Sequence, residues 1–154
     1  MIAIKPAKLK DFASLMQLEV HQEQKETHLP FEQLYQNRSK YEVILAIYSD
    51  NQAIGYVVLD KAFAHYATFA RRHELGLKYI AVDKHYQQKG VGKAVIQKLL
   101  VYAYAINGDS DSLCVTIPAK DEASRSFFTR VGFTDTNNFY YSKIGKERIM
   151  RHKL

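Results

Sequence analysis

Only one cysteine occurs among the 154 residues. A lone thiol cannot close an intrachain disulfide, so Cys114 is expected as a small core residue of an apolar strand rather than as a crosslink or an acyl-accepting nucleophile. The six histidines are scattered without ligand spacing, which gives no reason to expect a metal. No apolar run near the start resembles a signal peptide or a membrane helix, and a soluble cytoplasmic protein without membrane attachment is expected. Internal repeats, low-complexity tracts and linkers are missing as well. A chain of this length is large enough for one domain with a real core and short for two, so residues 1–154 are read as a single domain. Lys and Arg number 22 against 16 Asp and Glu, a net charge of +6. That excess suits an anionic ligand, nucleic acid or plain solubility, and does not choose among them.

What the chain does have is alternation and punctuation. Ile2 and Ile4 start a short strand that Pro6 interrupts, and residues 8–24 follow with Phe12, Leu15, Met16 and Leu18 at helical spacing. Pro30 precedes a second short helix over 31–38. The β-rich runs 41–48 and 53–59 flank Ser49-Asp50-Asn51-Gln52, which predicts an antiparallel hairpin. Residues 75–82 form the next strand. A long helix over 90–106 carries Val91, Val95, Leu99, Tyr102 and Ile106 on one face and stops at Asn107-Gly108-Asp109. A buried strand over 113–117, a helix over 121–130 and two last strands, from Gly132-Phe133 and over 139–144, complete the chain. The order β-α-α-β-β-β-α-β-α-β-β describes a mixed α/β domain with a largely antiparallel central sheet flanked by helices.

Between the strand ending at Ala81-Val82 and the long helix lies Gln87-Gln88-Lys89-Gly90-Val91-Gly92-Lys93. A strand, a glycine turn and a helix start make an anion cradle, because glycine allows close backbone approach and the first helical turn offers unpaired N–H groups at the positive end of the dipole. The spacing rejects a P-loop: one residue separates the glycines, and Ala94 stands where a magnesium-binding hydroxyl is needed. It rejects a dinucleotide fingerprint too, since position 95 is Val rather than a third glycine. What remains, Gln87-x-x-Gly90-x-Gly92, resembles the pyrophosphate loop [QR]-x-x-G-x-[GA] of the GNAT acetyltransferase superfamily. Downstream, the run from Asp121 to Phe133 resembles that family's N-x-x-A-x-x-F-Y-x-x-x-G-F motif, with Phe127, Gly132 and Phe133 in place. Asp121, Ser124 and Phe128 depart from the usual Asn, Ala and Tyr.

The resemblance covers nearly the whole chain and implies a GNAT fold that moves an acetyl group from acetyl-CoA, as cosubstrate, to an amine. It implies a cofactor site in which Ile80, Ala81 and Val82 present backbone amides and carbonyls to the pantetheine arm. Gln87, Gln88, Lys89, Gly90, Val91 and Gly92 donate main-chain N–H groups to the pyrophosphate, while Lys89 or Lys93 either adds a point charge or is merely solvated. Asp121, Ser124 and Phe128 flank the cofactor, with Asp121 favoured as a helix cap because an acceptor-only carboxylate replaces an amide donor.

Catalysis needs a deprotonated amine, a donor for the developing oxyanion and an acid for the departing thiolate. A backbone N–H near Ala81 or Val82 is the expected oxyanion donor. Phe128 has no proton to give, so another acid or water must serve; Tyr140 is the candidate, ahead of Tyr141, which alternates to the other face. For a base, Glu19 is singled out, with Glu23, His21, His73, Glu74, Tyr79 and His85 as further titratable groups. Leu18-Glu19-Val20 with Gln24 loosely resembles the bacterial diamine and spermidine acetyltransferases, which implies a polyamine among the small-molecule or peptide amine acceptors. Two alternatives stand beside this reading: a non-catalytic acyl-CoA-binding or regulatory module, and a nucleic-acid contact through Lys143, Lys146, Arg148, Arg151 and Lys153. For those basic residues a frayed tail is the simpler expectation, with Ile149 and Met150 anchoring it or touching a second copy, so the chain is read as a monomer or homodimer.

Overall fold

The computed structural model of the chain describes residues 1–19, 30–87 and 90–154. Seven strands form one sheet: β1 (Ile2–Pro6), β2 (Glu42–Ser49), β3 (Gln52–Asp60), β4 (Leu75–Val82), β5 (Ser112–Pro118), β6 (Thr134–Ser142) and β7 (Gly145–Lys153). Their spatial order is β1-β2-β3-β4-β5-β7-β6, and every neighbouring pair is antiparallel except β4 and β5. Among the described residues the helices are α1 (Phe12–Met16), α2 (Phe31–Gln36), α3 (Phe63–Tyr66), α4 (Val91–Ile106) and α5 (Glu122–Arg130).

Local sequence explains most of these elements. Asp50 and Asn51 both take positive φ, 49° and 74°, in the two-residue turn joining β2 to β3, and such a turn twists with the strands it connects. Strand alternation then divides the side chains between two layers. Leu45, Val57, Leu75, Leu113 and Met150 are buried on one face under Val95, Ile96, Leu99 and Ala103 of α4. On the opposite face Ala46, Tyr56, Val58 and Ala81 pack with Leu15 of α1 and with Phe31 and Leu34 of α2. A smaller cluster of Phe63, Cys114 and Ile149 gathers with Phe69 and Tyr140.

Three expectations need correction. The first helix is shorter than residues 8–24: a 3₁₀ turn at Leu9–Asp11 leads into α1, which stops at Met16, and residues 20–24 lie outside the described residues. The basic C-terminal segment is no tail but β7, inserted between β5 and β6, so the last hairpin runs over 134–153 rather than ending at 144. Its apolar residues explain the placement, since Ile149 and Met150 are buried, and two of its cations are neutralised inside the fold. Arg148 meets Asp135 at 2.9 Å and Arg151 meets Glu74 at 2.8 Å. Finally, the stretch between β3 and β4, left without an element by sequence, contains α3. Among the described residues no helix is long and apolar enough to cross a membrane.

Candidate active site

The parallel neighbours β4 and β5 pair only at Leu75 with Leu113, Gly76 with Cys114 and Leu77 with Val115. Beyond that point each follows its other neighbour: β4 stays on β3 as far as Val82 opposite Gly55, and β5 stays on β7 as far as Pro118 opposite Glu147. The strands therefore part into a wedge between residues 78–82 and 116–118. Since successive residues turn their N–H and C=O groups to alternate sides of a strand, about half of those on 78–82 face the wedge without a ladder partner. Ile80, Ala81 and Val82 all lie on this stretch. Gly55 allows the close pairing that holds it, because a Cβ there would sit 2.2 Å from the carbonyl oxygen of Ala81.

Past Val82 the chain turns through a 3₁₀ segment, Lys84–Tyr86, capped by Asp83. Burial works against the charge on Asp83, but N–H donors from His85 and Glu19 and the His85 ring outweigh it and hold the carboxyl below the usual range. Gln87 departs from expectation. Its side-chain amide donates to the Val82 carbonyl at 2.8 Å and its N–H to Lys84 O at 3.4 Å, so it latches the strand end rather than offering a free donor. Gln88 and Lys89 lie outside the described residues. Gly90 caps α4 in the left-handed region at φ 76° with open space around its α-carbon, as a chain entering a helix from a tight turn requires. The first helical bond runs from Ala94 N–H to Gly90 O, so the N–H groups of Val91, Gly92 and Lys93 precede the helical ladder and point out of its positive end. At Gly92 the need is for packing: a Cβ would stand 2.6 Å from the ring of Phe127 on α5.

Asp121 caps α5, accepting from Ser124 N–H at 3.0 Å and from its hydroxyl at 2.7 Å. Both polar side chains are thereby committed to the helix start. Phe128 is 4% exposed between Phe127 and Phe133 and fills core where the related motif has a phenol.

Where the wedge begins, a cavity of about 300 Å³ opens, walled by Phe63, Tyr66, Phe69, Lys78, Thr116 and Tyr140, with Asp60, Gly76 and Cys114 also on its surface. Tyr140 is half-buried in this wall and stacks on Phe69 at 4.7 Å between centroids, whereas Tyr141 is 78% exposed. Burial pushes the Tyr140 phenol above its ordinary pKa; a hydrogen bond from Thr116 opposes the shift and one to Glu147 adds to it. Burial also pushes the Cys114 thiol up to about 12, which keeps it protonated and inert as a nucleophile.

The two catalytic candidates from sequence are not brought together. Glu19 is exposed at the far end of β4, where its carboxylate pairs with Lys84 at 3.2 Å and its backbone bonds to Asp83 and Lys84. The five residues 78–82, at about 3.3 Å each, put roughly 16 Å of strand between it and the cavity. The other titratable groups are occupied as well: Glu74 is fully buried with Arg151 and Ser112, His85 pairs with Asp83, and His73 accepts from Arg72. His21 and Glu23 lie outside the described residues. Sequence reading missed Asp60, Phe69, Thr116 and Glu147. Thr116 was accessible to it, since strand alternation puts 116 on the same face as Cys114; the others depend on pairings between distant segments.

The comparisons with known proteins agree with this geometry. The Acetyltransferase (GNAT) family model matches residues 10–133. An aminoglycoside acetyltransferase bound to coenzyme A is similar in structure with a TM-score of 0.76 at 13% identity, over 99% of this chain and 95% of that one. The spermidine N-acetyltransferase of Vibrio cholerae, bound to CoA and spermine, gives 0.73 at 14% identity, over 99% and 95%. The ribosomal-protein-S18-alanine N-acetyltransferase of Escherichia coli gives 0.68 at 17% identity, over 99% and 94%. No curated protein matches by sequence. With four-fifths of its length matched by the family model and its sheet parted beside a glycine-capped helix start, the chain belongs to the acetyltransferase (GNAT) family and is an acetyltransferase of that class.

Proposed function

We propose that the protein transfers the acetyl group of acetyl-CoA to an amine of a small molecule or peptide by direct attack in a ternary complex. The observation that carries this reading is the parting of β4 from β5 after Leu77 and Val115, one strand-length from the N-terminus of α4. Unpaired backbone on 78–82 suits an amide-bearing arm laid along it, and the N–H groups of Val91, Gly92 and Lys93, which precede the helical ladder, suit the pyrophosphate at its end. An N–H on the same stretch of β4 faces the oxyanion as it develops.

Tyr140 supplies the proton for the departing thiolate. Its raised pKa keeps the phenol protonated at neutral pH, and Glu147 and Thr116 hold its hydroxyl on the cavity wall. The amine reaches the site having lost one proton to water. The C–N bond forms as the C–S bond breaks, the thiolate takes the phenol proton, and the second amine proton restores Tyr140.

Release of free CoA with a panel of amines tests the reading. Tyr140→Phe is expected to lower kcat by about 10²-fold, the low end for general acid catalysis, with the KM for acetyl-CoA unchanged and Tyr141→Phe without effect. An unchanged rate in Tyr140→Phe would remove that residue from the mechanism, and saturable acetyl-CoA binding without CoA release would remove turnover itself. The cradle is tested separately by calorimetric titration with acetyl-CoA. Gly90→Val forces a β-branched residue into left-handed backbone, at about 1–2 kcal/mol, and is expected to weaken binding with a fall of about 2–8 °C in the melting temperature. Gly92→Val should lower both together, because its side chain displaces Phe127.

A further inference from the structure

We propose that the acceptor is a small monoamine carried on an apolar, preferably aromatic, body, rather than a polyamine or a peptide chain; this inference rests on the acetyl-transfer reading above. The cavity at the wedge is built mainly of rings. Phe63 lies 5.9 Å from Tyr66 and 5.7 Å from Phe69, and Phe69 lies 4.7 Å from Tyr140, so a continuous aromatic surface runs from the floor to the proposed acid. Rings of this kind bind a flat or aliphatic body by stacking and dispersion, and their faces attract one ammonium without requiring an ion pair.

Among the described residues the charges favour one cation over a chain of them. The only carboxylate on the cavity surface among the described residues is Asp60, 3% exposed, whose oxygens already accept from Ala62 N–H and from the Tyr66 hydroxyl. Lys78 lines the same cavity and is paired with Glu42 at 3.0 Å. Glu42 is thereby engaged with Lys78, and Glu147 with the Tyr140 hydroxyl, so among the described residues a second or third ammonium would find no uncommitted carboxylate at the cavity. Size acts in the same direction. At about 300 Å³ the cavity is at the lower end of ligand pockets, enough for a ring with a short arm.

Contacts within the fold brace these walls. Arg151 donates to the Phe69 carbonyl while its Nε meets Glu74 at 2.8 Å, and Glu74 accepts from Arg71 N–H at 3.1 Å; this latch holds the segment carrying Phe69 against the sheet. Gly76 lets Phe63 lie flush on β4, since a Cβ there would stand 2.7 Å from the ring. The body would lie among Phe63, Phe69 and Tyr66, with its amine toward Thr116 and Tyr140 at the mouth of the wedge.

Initial rates of CoA release with phenethylamine, hexylamine, spermidine and an N-terminal alanine peptide decide the matter. The expected result is a kcat/KM at least tenfold higher for phenethylamine than for spermidine or the peptide. Phe69→Ala should raise the KM for phenethylamine about tenfold and leave the KM for acetyl-CoA in place. Phe69→Leu, which keeps apolar bulk, should recover hexylamine more than phenethylamine, and melting temperatures of both variants separate a lost ring contact from a lost fold. Preference for spermidine or the peptide, with both Phe69 variants indifferent to the amine, would overturn the monoamine assignment and leave acetyl transfer standing. Acetyl-CoA binding with no CoA release from any amine would overturn both.

Discussion

Arg151→Leu is expected to destabilise the protein by about 3–5 kcal/mol, the cost of leaving a buried charge without its partner. Glu74 is fully buried, and among the described residues its carboxylate is satisfied by Ser112, by the Arg71 backbone and by the Arg151 guanidinium. Removing the arginine deletes the one positive charge in that set and frees the Phe69 carbonyl as well. For a chain of this size each kcal/mol moves Tm by roughly 2–4 °C, so a fall of about 6–20 °C is expected in a thermal melt. The double replacement Arg151→Leu with Glu74→Leu should recover most of the loss, because two apolar groups of similar bulk need no solvation. Failure of the double variant to recover would assign the loss to the Phe69 contact and the packing of the arginine stem rather than to the stranded carboxylate.

Gly55→Ala is expected to damage stability and cofactor binding together. Its methyl group would enter within 2.2 Å of the Ala81 carbonyl oxygen and 3.1 Å of the Val82 α-carbon, both backbone atoms that cannot swing aside. β3 and β4 must separate, at a cost of about 1–3 kcal/mol for overpacking, and the strand that yields is the one whose free edge lines the wedge. Acetyl-CoA affinity should therefore fall in titration calorimetry by more than Tm alone would suggest. Gly108→Ala is the control: nothing lies within 4 Å of its added methyl, and neither quantity should move. Equal affinity in Gly55→Ala and the parent protein would mean that the cofactor does not use this edge of β4.

The strands from β2 to β5 and the helices α4 and α5 were legible because each carries its own period and punctuation. Residues 75–82 were read to the residue, and the Asp50-Asn51 turn announced its hairpin. β7 was not legible: Lys146, Arg148, Arg151 and Lys153 look like a solvated tail until Asp135 and Glu74, from 13 and 77 residues away, are seen to neutralise two of them. α3 escaped for a different reason, being a single turn whose burial comes from Cys114 and Ile149 on distant strands. The glycines divided in the same way. Gly90 needs its freedom for a local φ, which sequence anticipates, whereas Gly92 and Gly55 answer to Phe127 and Ala81, which only packing brings near.

Sequence by itself determined the family resemblance, carried by two short motifs, and the glycine entry to α4 and the cap at Asp121, which follow from residues within one or two turns of each other. The tertiary structure decided what lies at the other end of the cofactor wedge. It removed Glu19 from the cavity, placed Tyr140 in its wall beside Thr116 and Glu147, and surrounded the space with rings drawn from α3, the segment after it and β6. The physical reason is range. Backbone conformation, capping and helix dipoles are set by near neighbours, while a cavity and its charge exist only where strands far apart in the chain part by a defined amount.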